Sequence, residues 1–306
     1  MQSKISLTAL IFFSMISSAL DAQNNPSKSI LEIYSLEDME RKVIYEETGH
    51  FEAPNWSPDG KYLLINQGGL LYKVSTDGSS KIKLPTGAAN NCNNDHGISP
   101  NGKLLAISNN DKLENAPNGS SRIYVLPIEG GEPKLVTEKY PSYWHGWGPK
   151  NKQVVYTARR DDNFDIYRIS IEGGIEHKLT ADEGLDDGPE YSHDGRHIYY
   201  NSMKSGTMEI WRMLADGSNK EQITNDRYSN WFAHPDPTGR YFVFISYHED
   251  QGDGHPAMKA VSLRLFDLST NEVKVLASFI GGQGTINVPS WSPDGKHFAF
   301  VSYEES

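Results

Sequence analysis

The sequence predicts an all-β protein, a six-bladed β-propeller of four-stranded antiparallel blades, on three observations. A turn of the type Ser-Pro-Asp-Gly recurs six times, at steps of 42 to 56 residues. Behind each turn the same order of apolar strand, polar loop, aliphatic–aromatic strand and short last strand returns. The two ends of the chain carry complementary halves of one such unit. Four short strands in a unit of about 45 residues is the pattern of a propeller blade.

The turns are Ser57-Pro58-Asp59-Gly60, Ser99-Pro100-Asn101-Gly102, Gly148-Pro149-Lys150-Asn151, Ser192-His193-Asp194-Gly195, Asp236-Pro237-Thr238-Gly239 and Ser292-Pro293-Asp294-Gly295. Proline at the second position presets φ, and Gly or Asn at the fourth accepts a positive φ, so each reads as a tight hairpin. Strands such as Tyr62-Leu63-Leu64-Ile65 and His197-Ile198-Tyr199-Tyr200 follow. The next strands centre on Leu71-Tyr72, Ile123-Tyr124, Ile166-Tyr167, Ile210-Trp211 and Leu265-Phe266. Turns such as Asp77-Gly78 and Gly173-Gly174 then lead to last strands such as Lys178-Leu179-Thr180.

The ends decide how the ring closes. After the sixth turn only His297-Phe298-Ala299-Phe300-Val301 remains, so that blade lacks its third and fourth strands. Glu32-Ile33-Tyr34 and Lys42-Val43-Ile44-Tyr45 match the missing pair. The N-terminal strands are therefore expected to complete the last blade, leaving no open edge at the seam.

Lys4, the apolar run Ile5 to Leu20 and small residues ending at Ala22 have the layout of a secretory signal peptide, residues 1–22. A single propeller domain over 23–306, periplasmic or secreted, is the expectation, with no membrane span and a monomeric state. The formal net charge of −11 argues against nucleic-acid partners, which need an excess of Lys and Arg. The one cysteine, Cys92, excludes an internal disulfide and a thiolate zinc cluster.

Trp56 to Lys61 and Trp291 to Lys296 both read Trp-Ser-Pro-Asp-Gly-Lys, and with the Ile-Tyr strands they resemble the repeats of the TolB-like (PD40) propeller family. The resemblance runs over the whole chain after residue 22, with no counterpart of the N-terminal domain that TolB itself carries. It implies the propeller fold. Family functions include periplasmic partners of a lipoprotein–peptidoglycan system, propellers attached to peptidases, and oligogalacturonate lyases with a metal held by His and Gln.

Aligning on the turns brings one set of residues to the channel mouth. Three positions ahead of each turn stand Pro54, His96, His145, Pro189, Ala233 and Pro289. Two positions earlier stand Glu52, Asn94, Tyr143, Asp187, Trp231 and Asn287. With the neighbouring Trp144 and His234, they mix aromatic faces with hydrogen-bonding groups, a combination suited to sugars. The long insertion Tyr247 to Pro256, carrying His248 and His255, is expected to lean over the mouth as a lid, and Arg159 to sit on the rim.

A carbohydrate ligand at the mouth is the leading expectation, with a protein partner second. A carbohydrate-active enzyme is the alternative. His145 would serve as base, with Arg159 or a metal at His96 and Asp187 neutralising a uronate, so that His145 and Asp187 are the candidate catalytic pair. His96, His145 and His234 form the candidate metal set, for a divalent ion such as manganese or calcium. Hydrolysis would instead draw two carboxylates from Glu52, Asp187 and Glu190.

Overall fold

The computed structural model describes residues 26–114, 116 and 119–305. The signal-peptide expectation falls on residues 1–22, outside the described residues.

Blade 1 comprises β1 (Lys28–Ser35) and β2 (Glu40–Thr48), which belong to the closing sheet, followed by its neighbour, blade 2, built from β3 (Glu52–Trp56), β4 (Tyr62–Gln67), β5 (Leu70–Ser75) and β6 (Lys81–Lys83). Blade 3 holds β7 (Cys92–Ile98), β8 (Leu104–Asn110), β9 (Ser121–Pro127) and β10 (Lys134–Leu135). Blade 4 holds β11 (Ser142–Trp147), β12 (Gln153–Arg160), β13 (Asn163–Ser170) and β14 (His177–Lys178). Blade 5 holds β15 (Asp186–Tyr191), β16 (His197–Ser202), β17 (Glu209–Leu214) and β18 (Glu221–Gln222). Blade 6 holds β19 (Ser229–Pro235), β20 (Tyr241–Tyr247), β21 (Lys259–Asp267) and β22 (Glu272–Gly281). All pairing within blades is antiparallel.

The six turns adopt the geometry their residues dictate. The amide at the fourth position donates to the carbonyl at the first in every case, from Gly60 to Ser57 at 2.9 Å through to Gly295 to Ser292 at 2.9 Å. That fourth residue is left-handed throughout, including Asn151 at φ 56°. Asparagine tolerates this region where a β-branched residue would not. The outer strands are tied in by a repeated side-chain bond. Thr137, Thr180 and Thr224 each accept from the amide of the third-strand isoleucine, Ile123, Ile166 and Ile210, at 2.8 to 2.9 Å.

The seam closes as expected. In blade 1, β23 (His297–Glu304) pairs with β1 along its whole length, and β1 with β2; Trp291 bridges to Phe298 on the channel side. Ser302 donates to the buried Glu32 carboxylate across this junction at 2.6 Å.

Blades pack through large buried side chains. Trp144 is fully buried, and a Cβ on Gly97 of the preceding blade would lie 1.9 Å from its ring. Only glycine fits at that close approach. Within blades, Phe242 stacks on its cross-strand partner Phe266 with centroids 4.8 Å apart, and Tyr34 on Phe298 at 5.3 Å.

Candidate functional site

The innermost strands carry the site, and each breaks regular pairing at the same place. Register shifts fall between Glu52 and Asn55, Cys92 and His96, Trp144 and Gly146, Asp187 and Glu190, and Trp231 and His234. A bulge frees an amide from the ladder and re-aims the neighbouring side chains. The freed amides find other acceptors. Trp144 N donates to Ser108 Oγ at 2.7 Å, Phe232 N to Asn201 Oδ1 at 2.8 Å, and Asp95 N to Asn93 Oδ1 at 3.0 Å. Ala53 and Phe232 pay for the bulge with φ of 58° and 57°, strained values for side-chain-bearing residues.

The bulges open a cavity of about 500 Å³ at one end of the channel. Its polar wall is formed by Asn94, Asp95, His145, Thr157, Asp187 and Asn287, its apolar wall by Tyr143, Phe164 and Phe232. Asp187 stands between two histidines, 3.2 Å from His145 Nε2 and 3.6 Å from His255 Nε2. His255 comes from the loop between β20 and β21, the expected lid. Its ring meets Trp231 edge-on at 4.6 Å and Phe232 at 5.2 Å. The Pro256 carbonyl anchors the lid by accepting from Tyr247 Oη at 2.9 Å and from Gln283 N at 3.3 Å. Asn287 in turn fixes the loop entering the last blade, its Oδ1 accepting from Gly284 N at 2.6 Å.

Burial sets the electrostatics. The Asp95 carboxyl is pushed up to about 7 by desolvation, with Asp187 adding to the rise and His145 opposing it. Desolvation also raises Glu52 to about 8, with Asp95 adding and the nearby Asn94 amide opposing. For Asp187 burial acts upward too, but the His145 cation and its hydrogen bond outweigh it and hold the group well below the usual carboxylate range. Burial disfavours the His145 cation, yet Asp95 and Asp187 together raise its pKa. His255 goes the other way: desolvation lowers it despite Asp187.

Of the residues singled out from sequence, Asn94, His145, Asp187, His255 and Asn287 line this cavity. Glu52 lies beside it, in contact with the position of Gly284. Arg159 stands on the rim, directed to Asp162 at 3.3 Å and lying over the Phe164 ring at 6.0 Å. His96, Trp144, Trp231 and His234 are turned away. His96 is fully buried, with Nε2 3.2 Å from the Leu64 carbonyl, and burial lowers it to about 4. His234 Nδ1 pairs with Glu190 at 2.5 Å, deeper in the channel, where Glu190 faces the opposite opening. Trp144 and Trp231 are fully buried packing residues. His248 bonds Ser262 Oγ at 2.8 Å and lies against Tyr228, outside the cavity.

The expected metal set is therefore not assembled: His96 and His234 bind backbone and Glu190 rather than converging on His145. Among the described residues, no group of three or more His, Cys, Asp or Glu side chains is placed to hold a metal ion. Tyr143, of the same aligned set, lines the cavity as well. Asp95, Thr157, Phe164 and Asp253 also line the wall; Asp95 lies in a segment marked by its polar and aromatic mix and Asp253 in the expected lid, whereas nothing in the sequence marks Thr157 or Phe164.

Comparison with known proteins places this arrangement. The family model described as the TolB beta propeller domain, PD40, matches residues 115–278. An uncharacterized protein of Agrobacterium fabrum is 50% identical over 277 residues, covering 90% of this chain and 92% of that protein. A solved Agrobacterium tumefaciens structure given the provisional name TolB superposes with a TM-score of 0.85 at 49% identity, covering 90% of this chain and 98% of that one. The Tol-Pal system protein TolB of Francisella tularensis subsp. tularensis is 24% identical over 83% of this chain, which spans 57% of its length. The repeated turns, the closed seam of this ring and these likenesses lead to one conclusion: the chain belongs to the TolB-like β-propeller family.

Proposed function

We propose that this protein is a binding module of the periplasm or cell exterior that holds a small carbohydrate at the channel mouth, under the lid that carries His255. One observation carries the reading. Asn94 and Thr157 line the cavity at 4% and 2% exposure; Asn94 Nδ2 faces the Glu52 carboxyl and Thr157 Oγ1 the Asp187 carboxylate, and among the described residues neither has a partner within normal hydrogen-bond length. Buried polar groups are ordinarily satisfied, so two idle ones on a cavity wall suit a ligand that supplies their partners. Tyr143, Phe164 and Phe232 offer faces for a sugar ring, and Asn93, Asn110 and Gln283 offer further amides. The layout of residues 1–22 supports export. Calorimetry with neutral oligosaccharides tests the reading. Binding that weakens in Thr157→Val and Asn94→Ala is expected; saturation by none of a broad glycan panel would overturn it.

A second reading has its own observation. Asp95 and Asp187 share the cavity while their environments push them in opposite directions, one towards the protonated acid and one towards the carboxylate. Divergent carboxyl groups are the usual equipment of glycoside hydrolysis. Release of new reducing ends, lost in both Asp95→Asn and Asp187→Asn, would favour the enzyme over the binder.

A further inference from the structure

We propose that the ligand carries a positive charge next to its hydroxyls, as an amino sugar does, and that Asp95 is the group that receives it. The inference rests on the carbohydrate reading and adds the charge of the ligand to it.

The argument is a balance of charges inside one cavity. Among the described residues three carboxyl groups line it, Asp95, Asp187 and Asp253, and no lysine or arginine does. Asp187 is already matched, with His145 at 3.2 Å and His255 at 3.6 Å on its two oxygens. The His145 charge is set against both Asp187 and Asp95, so among the described residues the site holds no spare cation for an anionic sugar. Arg159, the rim residue that could have served a uronate, is turned towards Asp162. Asp95 differs from Asp187. It is 5% exposed, yet among the described residues its carboxyl takes part in no ion pair and no hydrogen bond. A buried carboxyl without a partner is costly, and a cation arriving with the ligand is the partner that fits.

The idle neighbours indicate what else the ligand bears. Asn94 Nδ2 can only donate and so calls for an oxygen on the ligand, while Thr157 Oγ1 can donate or accept. An ammonium group on a hydroxyl-rich ring meets both demands. The aromatic faces of Tyr143 and Phe232 add a surface attractive to cations. Asp253, on the lid, places a second carboxylate over the same opening.

Three trisaccharides separate the possibilities by calorimetry at pH 7 and physiological salt. The trimer of β-1,4-linked glucosamine and cellotriose differ only at C2, where an ammonium replaces a hydroxyl; trigalacturonate carries the opposite charge. The glucosamine trimer is expected to bind about tenfold tighter than cellotriose, the usual scale of one charge-assisted hydrogen bond. Asp95→Asn should remove that preference, bringing the two trimers to the same affinity. Asp253→Asn, on the exposed lid and without risk to the fold, should reduce it in part. Equal affinity for the glucosamine trimer and cellotriose, a preference that survives Asp95→Asn, or tightest binding of trigalacturonate overturns the charge inference while the carbohydrate reading stands. Failure of all three to bind overturns the charge inference, and the broad glycan panel then decides the carbohydrate reading.

Discussion

Replacing Glu52 with glutamine should stabilise the protein, and should do so only above mildly acidic pH. Glu52 keeps 15% of its side chain exposed, and burial next to Asp95 raises its carboxyl from 4.5 to about 8. The sign follows from proton counting. Between these values the folded protein holds a proton that the unfolded chain has already released, so stability falls as pH climbs through that window. For one such group the loss grows from below about 1 kcal/mol at pH 5 to on the order of 4 kcal/mol at pH 8. Glutamine keeps the shape and the polar contacts of the neutral acid but has no proton to lose. Urea denaturation of both proteins at pH 5 and pH 8 reads the difference directly. The variant should match the wild type at pH 5 and exceed it by several kcal/mol at pH 8. An equal gain at both pH values, or no gain at pH 8, would refute the claim that an ionisable group is being held neutral beside the cavity.

Other substitutions divide the cavity wall from its support. Thr157→Val removes a hydroxyl that reaches the Asp187 carboxylate only beyond normal hydrogen-bond length, so stability by denaturant titration should stay within about 1 kcal/mol while ligand affinity drops. Trp231→Ala should do the reverse of a contact mutation: the fully buried ring supports the lid, and its loss should cost about 3–5 kcal/mol of stability. Gly282→Ala should lift the lid, since its Cβ would stand 2.2 Å from the Pro256 carbonyl oxygen at a φ of +108°. Proteolysis within residues 248–258, faster in that variant than in the wild type, checks it.

The fold was legible because its signals are local. A proline and a left-handed fourth residue define each turn within four residues, and the incomplete last unit can be counted from the chain. The site was legible only to the level of the strand. Alternation along an inner strand predicts that residues two apart share a face, and Asn94 and His96 were read together on that basis. The bulge between Cys92 and His96 breaks the alternation, so Asn94 and Asp95 reach the cavity while His96 turns to the Leu64 carbonyl. In the next blade the shift falls between Trp144 and Gly146, and there His145 faces inward and Trp144 is the one that packs. Bulges depend on acceptors in neighbouring strands, such as Ser108 and Asn201, and no window on one strand contains them. Thr157 and Phe164 belong to second and third strands, whose approach to the mouth depends on the tilt of the blade.

The seam has a kinetic consequence. Because β1 lies between β2 and β23, the contact that locks the ring joins residues 270 positions apart, as between Glu32 and Ser302. Closing a loop of that length costs roughly 5 kcal/mol of chain entropy before any pairing offsets it. The ring therefore locks late in folding, and the cavity, whose wall runs from Asn93 to Asn287, gains its full set of groups only as the last blade assembles. The same geometry works in reverse once the ring is shut. An inner strand cannot peel away while its blade is held on both sides, and the route out begins at the pairing of β1 with β23. A cross-link there would slow the loss of the site more than one placed in any other blade.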